Sequence, residues 1–395
     1  MAKAEQILTG GQFLNDNLGK VKPFLAMEIL EKAQQMEKEG AHIIHMEVGE
    51  PGGETPALIK EAAIRALGDN DTNYTHSLGK PELREAIASY YQESYGVKID
   101  PGQVIVTSGS SPAMLLSFYA LLGRGDRLLM SDPYYACYPN FTYAAGAEPV
   151  FVPALEENAF RMQVNDIKKK LDPGVKGILI NSPANPTGTV LGPAELEEIA
   201  SIGPLVISDE VYHGINYEGR DHSILEFTDN AIVINGFSKR NIMTGWRLGY
   251  LIAPQTMIRD MQKLQQNLFI CACSFIQAAG LAALQESPAV LEDRFKSYNS
   301  RRKRLYTFLQ ELGIAPAMPP QGAFYMLANV KKYTGDSYAF ALQILKEARV
   351  ALTPGIDFGP GAEGYIRISY ACSDQTMEEG LSRLEKFFAG LNRVR

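Results

Sequence analysis

The sequence has little of what marks several large classes of protein. Four cysteines among 395 residues give no disulfide framework, which favours a reducing compartment. No run of about eighteen apolar residues occurs, so no membrane-spanning helix is predicted, and the first residues lack the apolar segment of a signal peptide. The net charge of −7 disfavours nucleic acid as a partner. These absences together predict a cytoplasmic protein.

Residues that bind metals are also sparse. Of the five histidines, His42 and His45 lie in a strand-like apolar segment, and Cys271 and Cys273 lie in another apolar segment without a histidine near them in the sequence. Such pairs are more typical of ordinary packing than of a metal centre. We therefore predict no metal site.

The chain does contain enough apolar sequence for two domains, since 46% of its residues are hydrophobic and 21% are charged. Short apolar strands alternate with helical patterns, which predicts an α/β fold with a mainly parallel, seven-stranded sheet between helices in residues 56–285. A smaller α+β domain is predicted from residues 1–55 and 286–395, joined by a long helix over residues 290–312. The strands are predicted near residues 104, 127, 149, 176, 204, 231 and 248.

The most informative segment is NGFSKRNIMTGWRLGY, residues 235–250, in which Lys239 follows Ser238 and precedes Arg247. A lysine can form a Schiff base with an aldehyde, while a hydroxyl group and a buried guanidinium can hold a phosphate. Pyridoxal 5'-phosphate carries both an aldehyde and a phosphate. We therefore predict that Ser238, Lys239 and Arg247 bind this cofactor, and that Arg247 is buried.

Upstream of Lys239, the segment PLVISDEVY at residues 204–212 ends an apolar strand with Asp209. Ligands of open parallel sheets collect at the carboxyl ends of the strands. A carboxylate there can keep the cofactor's ring nitrogen protonated, so that the ring accepts electrons when a bond at the substrate Cα breaks. Tyr212 can donate a hydrogen bond to the phenolate oxygen of the ring. We predict Lys239, Asp209 and Tyr212 as the catalytic residues.

Three more loops are predicted at the same edge of the sheet. In the rigid turn SPANPTG, Asn185 can hold its amide against the phenolate oxygen and against a substrate carboxylate. Gly109, Ser110 and Ser111 open a helix and offer N–H groups to the phosphate, without a GxGxxG or Walker pattern. Tyr135 is predicted to stack on the pyridine ring.

These motifs stand in the order found in the class I/II aminotransferases of fold type I, and the chain resembles that family over nearly its whole length. The resemblance implies that Arg367 clamps the substrate carboxylate with a bidentate fork, and that Gly49 and Asn185 lie against the same carboxylate. It also implies that Tyr74 reaches the cofactor phosphate of a neighbouring subunit, and hence a homodimer with shared active sites. Matching segments are VGEP (48–51), NY (73–74), GKPELRE (79–85), SG (108–109), NPTG (185–188), SDEVY (208–212), SK (238–239) with Arg247, QGAFY (321–325) and YIRIS (365–369).

The reaction that the resemblance implies is transamination from an L-amino acid to a 2-oxo acid such as 2-oxoglutarate, with ping-pong kinetics. Because Arg367 would hold the carboxylate near the cofactor plane, the Cα–H bond would stand perpendicular to that plane. Lys239 would then move the Cα proton.

The class of amino acid that donates the amino group is predicted from fewer residues. Phe24 and residues 268–270 are expected to border the donor pocket, one of them from the partner subunit, and Ser111 stands where some relatives with acidic substrates have a basic residue. Neutral, apolar or aromatic donors are favoured, and aspartate stays open. A C–S β-lyase with the same cofactor is an alternative. A non-catalytic regulatory domain is a third hypothesis, although the catalytic positions are all filled.

Overall fold

A computed structural model of the chain describes residues 16–393, and that range contains twelve α-helices and twelve strands. None of these helices is long and apolar enough to cross a membrane. The strands are β1 (Ile44–His45), β2 (Val104–Thr107), β3 (Arg127–Asp132), β4 (Glu148–Pro153), β5 (Val175–Asn181), β6 (Leu205–Asp209), β7 (Ala231–Gly236), β8 (Gly249–Ile252), β9 (Tyr325–Asn329), β10 (Val350–Ala351), β11 (Thr353–Pro354) and β12 (Tyr365–Ser369). The helices are α1 (Leu25–Lys38), α2 (Ala57–Gly68), α3 (Pro81–Tyr95), α4 (Ser110–Leu121), α5 (Cys137–Ala144), α6 (Val164–Lys170), α7 (Pro193–Ala200), α8 (Gln255–Leu268), α9 (Ser274–Leu284), α10 (Pro288–Glu311), α11 (Ser337–Ala348) and α12 (Asp374–Arg393).

Seven strands form the central sheet in the order β2-β8-β7-β6-β5-β3-β4. Strand β8 runs antiparallel to both of its neighbours, and all the other pairs are parallel. Every residue of β2 and β8 is buried, as are nearly all those of β6 and β7. Continuous apolar runs of this kind are typical of strands covered by helices on both faces. The predicted α/β fold with a mainly parallel, seven-stranded sheet is confirmed.

The carboxyl ends of the central strands meet at one edge of this sheet. Asn181 at the end of β5 pairs with Asp209 at the end of β6, and Asp209 pairs with Ile234 of β7. Beyond β7 the chain continues directly into the segment that holds Lys239. Polar residues that are separated in the sequence are therefore brought together at the edge where open parallel sheets bind ligands.

A separate hydrophobic core lies beside the sheet. It contains apolar residues from positions 29 to 46 and from 298 to 388, and the sheet segment adds Val211, Tyr212 and Ile215. The antiparallel strands β11, β12 and β9 and the parallel pair of β1 with β10 belong to the same part of the chain. This core supports the smaller α+β domain, whose boundaries at residues 55 and 285 stay a prediction. The helix predicted over residues 290–312 is α10.

Candidate active site

A cavity of about 270 Å³ opens at the carboxyl ends of the central strands. It brings together residues from nine separate segments of the chain. The predicted positions that do not line it are Gly109, Tyr74 and residues 268–270. The predicted residues that line it are Phe24, Gly49, Ser110, Ser111, Tyr135, Asn185, Asp209, Tyr212, Ser238, Lys239, Arg247 and Arg367.

Lys239 projects into this cavity from the loop after β7. Its Nζ donates a hydrogen bond to the backbone carbonyl of Gly49 at 2.6 Å. Burial, together with the positive charges of Arg367 and Arg247, lowers the pKa of Lys239 to about 8. A larger fraction of this amine is therefore neutral at physiological pH than in an ordinary lysine. The neutral amine is the form that attacks a carbonyl group.

Asp209 lies at the floor of the cavity and is only 4% exposed. Its Oδ2 accepts a hydrogen bond from the Tyr138 hydroxyl at 2.7 Å, and its Oδ1 accepts one from the Val211 N–H at 3.2 Å. Burial raises the pKa of this carboxyl group to about 6, although both hydrogen bonds act in the opposite direction. A cationic N–H group placed beside Asp209 would offset the cost of burying its charge.

Tyr138 is a residue whose role the sequence analysis missed. It follows Tyr135 by three positions and lies in the first turn of α5, where its backbone N–H donates a hydrogen bond to the Tyr135 carbonyl at 2.9 Å. The two rings pack edge to face with their centroids 5.3 Å apart, and Tyr135 packs in the same way against Phe24 at 6.0 Å. The three-residue spacing is the one sequence signal that could have linked Tyr138 to the predicted stacking residue.

Arg367 is the largest fully buried side chain in the described residues, with 2% of its surface exposed. Its Nη1 donates to Asn185 Oδ1 at 2.9 Å, and its Nη2 donates to the Glu47 carbonyl and, at 3.1 Å, to Thr353 Oγ1. Its Nε donates to no atom of the described residues. A buried donor without an acceptor costs about 1–3 kcal/mol. The oxygens of a bound carboxylate would supply the missing acceptor.

The loop before α4 and the side chain of Arg247 form a cradle for an anion. Gly109 has a φ of +98°, and a Cβ there would lie 2.5 Å from Arg247 Nη2. Glycine therefore lets the guanidinium approach the first turn of α4, where backbone N–H groups have no partner within the helix. Ser238 lies in the same cavity and is buried.

The prediction that Arg247 is buried is wrong, since its side chain is exposed in this single chain. It lies at the open mouth of the cavity, where Nη1 donates to the Thr244 carbonyl at 2.8 Å. Solvent therefore reaches a group that the sequence analysis placed inside. The bond to the Thr244 carbonyl and the space left by Gly109 allow the guanidinium to lie beside the first turn of α4.

Besides Gly109, two predicted positions lie outside the cavity of this chain, and both of them contain exposed side chains. Tyr74 is 81% exposed. Residues 268–270 do not line the cavity, and both Leu268 and Ile270 are exposed. Their predicted contact with a partner subunit's donor pocket stays a prediction, while Phe24 borders the cavity as expected.

The donor set of this cavity fits pyridoxal phosphate. The cradle at α4 suits a phosphate, the carboxylate of Asp209 suits a protonated ring nitrogen, and the lowered pKa of Lys239 suits reaction with an aldehyde. The unpaired Nε of Arg367 suits a substrate carboxylate. Within residues 16–393, no three His, Cys, Asp or Glu side chains are grouped so as to hold a metal ion.

Comparison with known proteins gives consistent matches over almost the whole chain. The family model for aminotransferase class I and II matches residues 41–384. The chain is 40% identical to a (5-formylfuran-3-yl)methyl phosphate transaminase of Methanocaldococcus jannaschii, over 95% of this chain and 99% of the relative. It is 38% identical to an aspartate aminotransferase of Pyrococcus horikoshii, over 96% of this chain and 98% of the relative.

The fold is also similar to solved structures. The crystal structure of an aromatic aminotransferase from Pyrococcus horikoshii superimposes with a TM-score of 0.85 and 38% sequence identity. The match covers 91% of this chain and 99% of that structure. The similarity therefore extends over the central sheet, the smaller core and the cavity between them.

Proposed function

We infer that this chain, which belongs to the class I and II aminotransferase family, is a pyridoxal-phosphate-dependent aminotransferase. It moves the α-amino group of an L-amino acid to a 2-oxo acid. The observation that carries the proposal is Lys239, with a pKa lowered to about 8, in one cavity with Asp209 and Arg367. When bound, the cofactor supplies an aldehyde and a ring that accepts electrons from the substrate Cα.

Each of these side chains has a proposed task in the reaction. Arg367 binds the α-carboxylate through its free N–H donors and orients the substrate, so that the Cα–H bond is the one that breaks. Lys239 Nζ, which is neutral more often than an ordinary lysine, takes the proton from Cα and later returns it. Asp209 accepts a hydrogen bond from the ring nitrogen and keeps that nitrogen protonated.

Three neighbours of the ring would complete the proposed site. The Tyr212 hydroxyl would donate a hydrogen bond to the ring oxygen, and the Asn185 amide would donate one to the same oxygen. Tyr135 stacks on the ring face, where its own packing against Phe24 and Tyr138 fixes its orientation.

We propose neutral amino acids, apolar or aromatic, as donors and 2-oxoglutarate as an acceptor. All three cations that line the cavity, Lys239, Arg247 and Arg367, already have proposed tasks. Among residues 16–393, aspartate's second carboxylate would therefore find no further positive charge lining the cavity, and the nearby Glu50 carboxylate would repel it. The names of the relatives differ in substrate, so they do not decide between donors. Apolar side chains that line the cavity are Phe24, Ala26, Met27, Val48, Met114, Phe141 and Val211.

The proposed activity and donor class are tested by the visible absorption of the protein loaded with pyridoxal phosphate. We expect leucine or phenylalanine to bleach the visible band and a 2-oxo acid to restore it, because the two half-reactions are separate. A band that is absent even after adding the cofactor would contradict the enzyme proposal. A band that no amino acid changes would favour the lyase or the regulatory alternative, and faster bleaching by aspartate would contradict the donor class.

We also propose a homodimer in which Tyr74 reaches the partner's cofactor phosphate. In support, apolar side chains are exposed on α2, namely Leu58, Ile64 and Leu67, and Ile270 is exposed close to Tyr74 in the fold. Isolated apolar residues are common on surfaces, but a group of them marks an interaction face.

A cytoplasmic location is proposed as well. All four cysteines are free, as expected for a reducing compartment, and their positions are Cys137, Cys271, Cys273 and Cys372.

Tyr138→Phe is expected to weaken cofactor binding, most strongly at acidic pH. The lost hydroxyl stabilises ionised Asp209, so the pKa of that carboxyl should rise above its present value of about 6. Asp209 is ionised above its pKa and becomes protonated as the pH falls below that value. The pH below which cofactor binding is lost should therefore rise by about one unit in the variant. Titration of the apoprotein with pyridoxal phosphate between about pH 5 and pH 8 measures this shift.

The matched control is Tyr143→Phe, which removes a hydroxyl from the same helix at a residue that does not line the cavity. Its binding curve should match that of the wild type at every pH. Equal curves for the Tyr138 and Tyr143 variants would show that the bond to Asp209 has no effect on the cofactor.

A further inference from the structure

Tyr325 is a residue of the cavity, and the proposed reaction assigns it no task. It is the first residue of β9, it is fully buried, and it lines the cavity. In the antiparallel pair of β9 with β12, Arg367 lies opposite Leu327. Tyr325 is two residues from Leu327 and is therefore a diagonal neighbour of Arg367 on the same face of the sheet.

The ring of Tyr325 supports the guanidinium of Arg367. The Arg367 Cζ lies 4.4 Å from the centroid of this ring and 4.7 Å from that of Phe358. Such distances allow a cation–π interaction, which is stronger away from water. These contacts do not take up the N–H donors, since Nη1 still donates to Asn185 Oδ1 and Nη2 to the Glu47 carbonyl and to Thr353 Oγ1.

The hydroxyl of Tyr325 meets the hydroxyl of Tyr212 at 2.7 Å. The Tyr325 hydroxyl also fills the place of a side chain at Gly49, where a Cβ would overlap it. Only one proton can lie between the two hydroxyl oxygens. If Tyr325 donates that proton, Tyr212 keeps its own proton for an acceptor in the cavity.

The charge of Arg367 lowers the pKa of both hydroxyl groups, but the guanidinium lies against the Tyr325 ring, which favours Tyr325 as the donor. Burial raises the pKa of the Tyr325 hydroxyl, and the positive charge of Arg367 opposes that rise. A hydroxyl made more acidic by a cation is a stronger hydrogen-bond donor. Hydrogen bonds in such a chain polarise one another, so Tyr212 also becomes a better donor to the next group.

We propose that Tyr325 is a positioning residue that acts through two others. Its hydroxyl donates to Tyr212 and so directs the Tyr212 proton at the ring oxygen of the cofactor. Its ring holds the Arg367 guanidinium in place for the substrate carboxylate. The inference rests on the proposed function, because it assigns a task relative to the tasks of Tyr212 and Arg367.

The two parts of the proposal are separated by two substitutions in the holoenzyme. Tyr325→Phe keeps the ring and removes the hydroxyl, so Tyr212 becomes a weaker donor to the ring oxygen. The pH at which the visible absorption is halfway through its change should therefore rise by about 0.5–1 unit. The KM for the donor should stay within about twofold of the wild-type value. Tyr325→Leu also removes the ring, and we expect the KM to rise by about tenfold in addition.

A double substitution tests whether the hydroxyl acts through Tyr212. In a Tyr212→Phe background, Tyr325→Phe should no longer move the midpoint, because the residue that transmits the effect is absent. A shift of the same size in that background would overturn the proposed route. A Tyr325→Phe protein that titrates like the wild type would overturn it as well.

Tyr370→Phe is the matched control for the loss of a buried hydroxyl. Tyr370 is fully buried in the smaller core, its hydroxyl donates to the Ala323 carbonyl at 3.3 Å, and it does not line the cavity. This variant should leave the midpoint and the KM unchanged. If it shifts the midpoint as much as Tyr325→Phe does, the effect is one of general packing and the proposal is wrong.

The outcomes also separate this inference from the proposed function. If the wild-type band responds to no amino acid, the proposed function fails, while the pH titrations still report on the two hydroxyl groups. If the band responds and the Tyr325 variants behave like the control, only the present inference fails. A Tyr325→Leu protein with an unchanged KM would overturn the support of Arg367 by the ring.

Discussion

Lys239→Ala is expected to lower kcat for transamination by about 10⁴-fold. The substitution removes both the amine proposed to react with the cofactor aldehyde and the group proposed to move the Cα proton. The neighbouring Arg367 and Arg247 cannot replace it, because guanidinium groups stay protonated. Steady-state rates with a fixed donor and 2-oxo acid measure the loss. Binding of the cofactor by the variant, through the cofactor's phosphate and ring, is measured as well and shows that the site is intact.

The pH dependence of cofactor uptake tests the same lysine in the wild type. Since the pKa of Lys239 is lowered to about 8, the neutral amine accumulates as the pH rises towards that value. Uptake by the apoprotein should therefore accelerate up to about pH 8 and change little above it. Acceleration that continues to about pH 10, as for an ordinary lysine, would contradict the lowered pKa.

A surface lysine controls for the loss of one positive charge. Lys263 is exposed on α8, where its side chain pairs with Asp260. Lys263→Ala should keep the wild-type kcat and the wild-type pH profile. A Lys239→Ala enzyme with more than about a tenth of the wild-type kcat would rule out the proposed proton transfer.

Arg367→Lys is expected to reduce kcat/KM for the amino donor by about 10² to 10³-fold, with positive charge conserved. A lysine cannot reproduce the planar fork, and its shorter reach would leave Asn185 Oδ1 and the Glu47 carbonyl without their donors. The loss should be confined to substrates that carry an α-carboxylate. Single-turnover bleaching by a primary amine without that carboxylate should keep its wild-type rate.

The chain offers a second buried arginine as a matched control. Arg302 is 5% exposed, its Cζ lies 4.6 Å from the Tyr217 ring centroid, and its Nη1 donates to Glu218 and to the Pro320 carbonyl. Arg302→Lys should lower the thermal stability but leave kcat/KM unchanged. If both arginine variants lose activity equally, burial of the charge and not carboxylate binding explains the effect.

The fold could be predicted from the sequence because its strands are short apolar runs with clear ends. Strand β5 over Val175–Asn181 and strand β6 over Leu205–Asp209 both place polar residues directly after buried ones. In a parallel sheet such ends lie on one edge, so the predicted Asn185 and Asp209 meet in the cavity. This part of the site depends on local patterns alone.

Other parts of the site depend on contacts between distant segments, and the sequence could not reveal them. The Tyr138 hydroxyl reaches Asp209 across 71 positions, and the Tyr325 hydroxyl reaches Tyr212 across 113. The periodic pattern of apolar residues in the sequence does not predict such a contact. Arg247 was expected to be buried as a ligand of the phosphate, yet side-chain exposure at a cavity mouth is set by the surrounding loops.

The reversed direction of β8 explains why one short stretch of sequence holds so many of the proposed cofactor contacts. Gly236 at the end of β7 pairs with Gly249 at the start of β8, which also pairs with Thr107 at the end of β2. The twelve residues from 237 to 248 leave and re-enter the sheet at the same edge and never cross it. Lys239 and Arg247 both lie in this connection, so the proposed aldehyde contact and the proposed phosphate contact are held by one loop that is fixed to the sheet at each end. A change in the length of this loop should therefore disturb both proposed contacts at once.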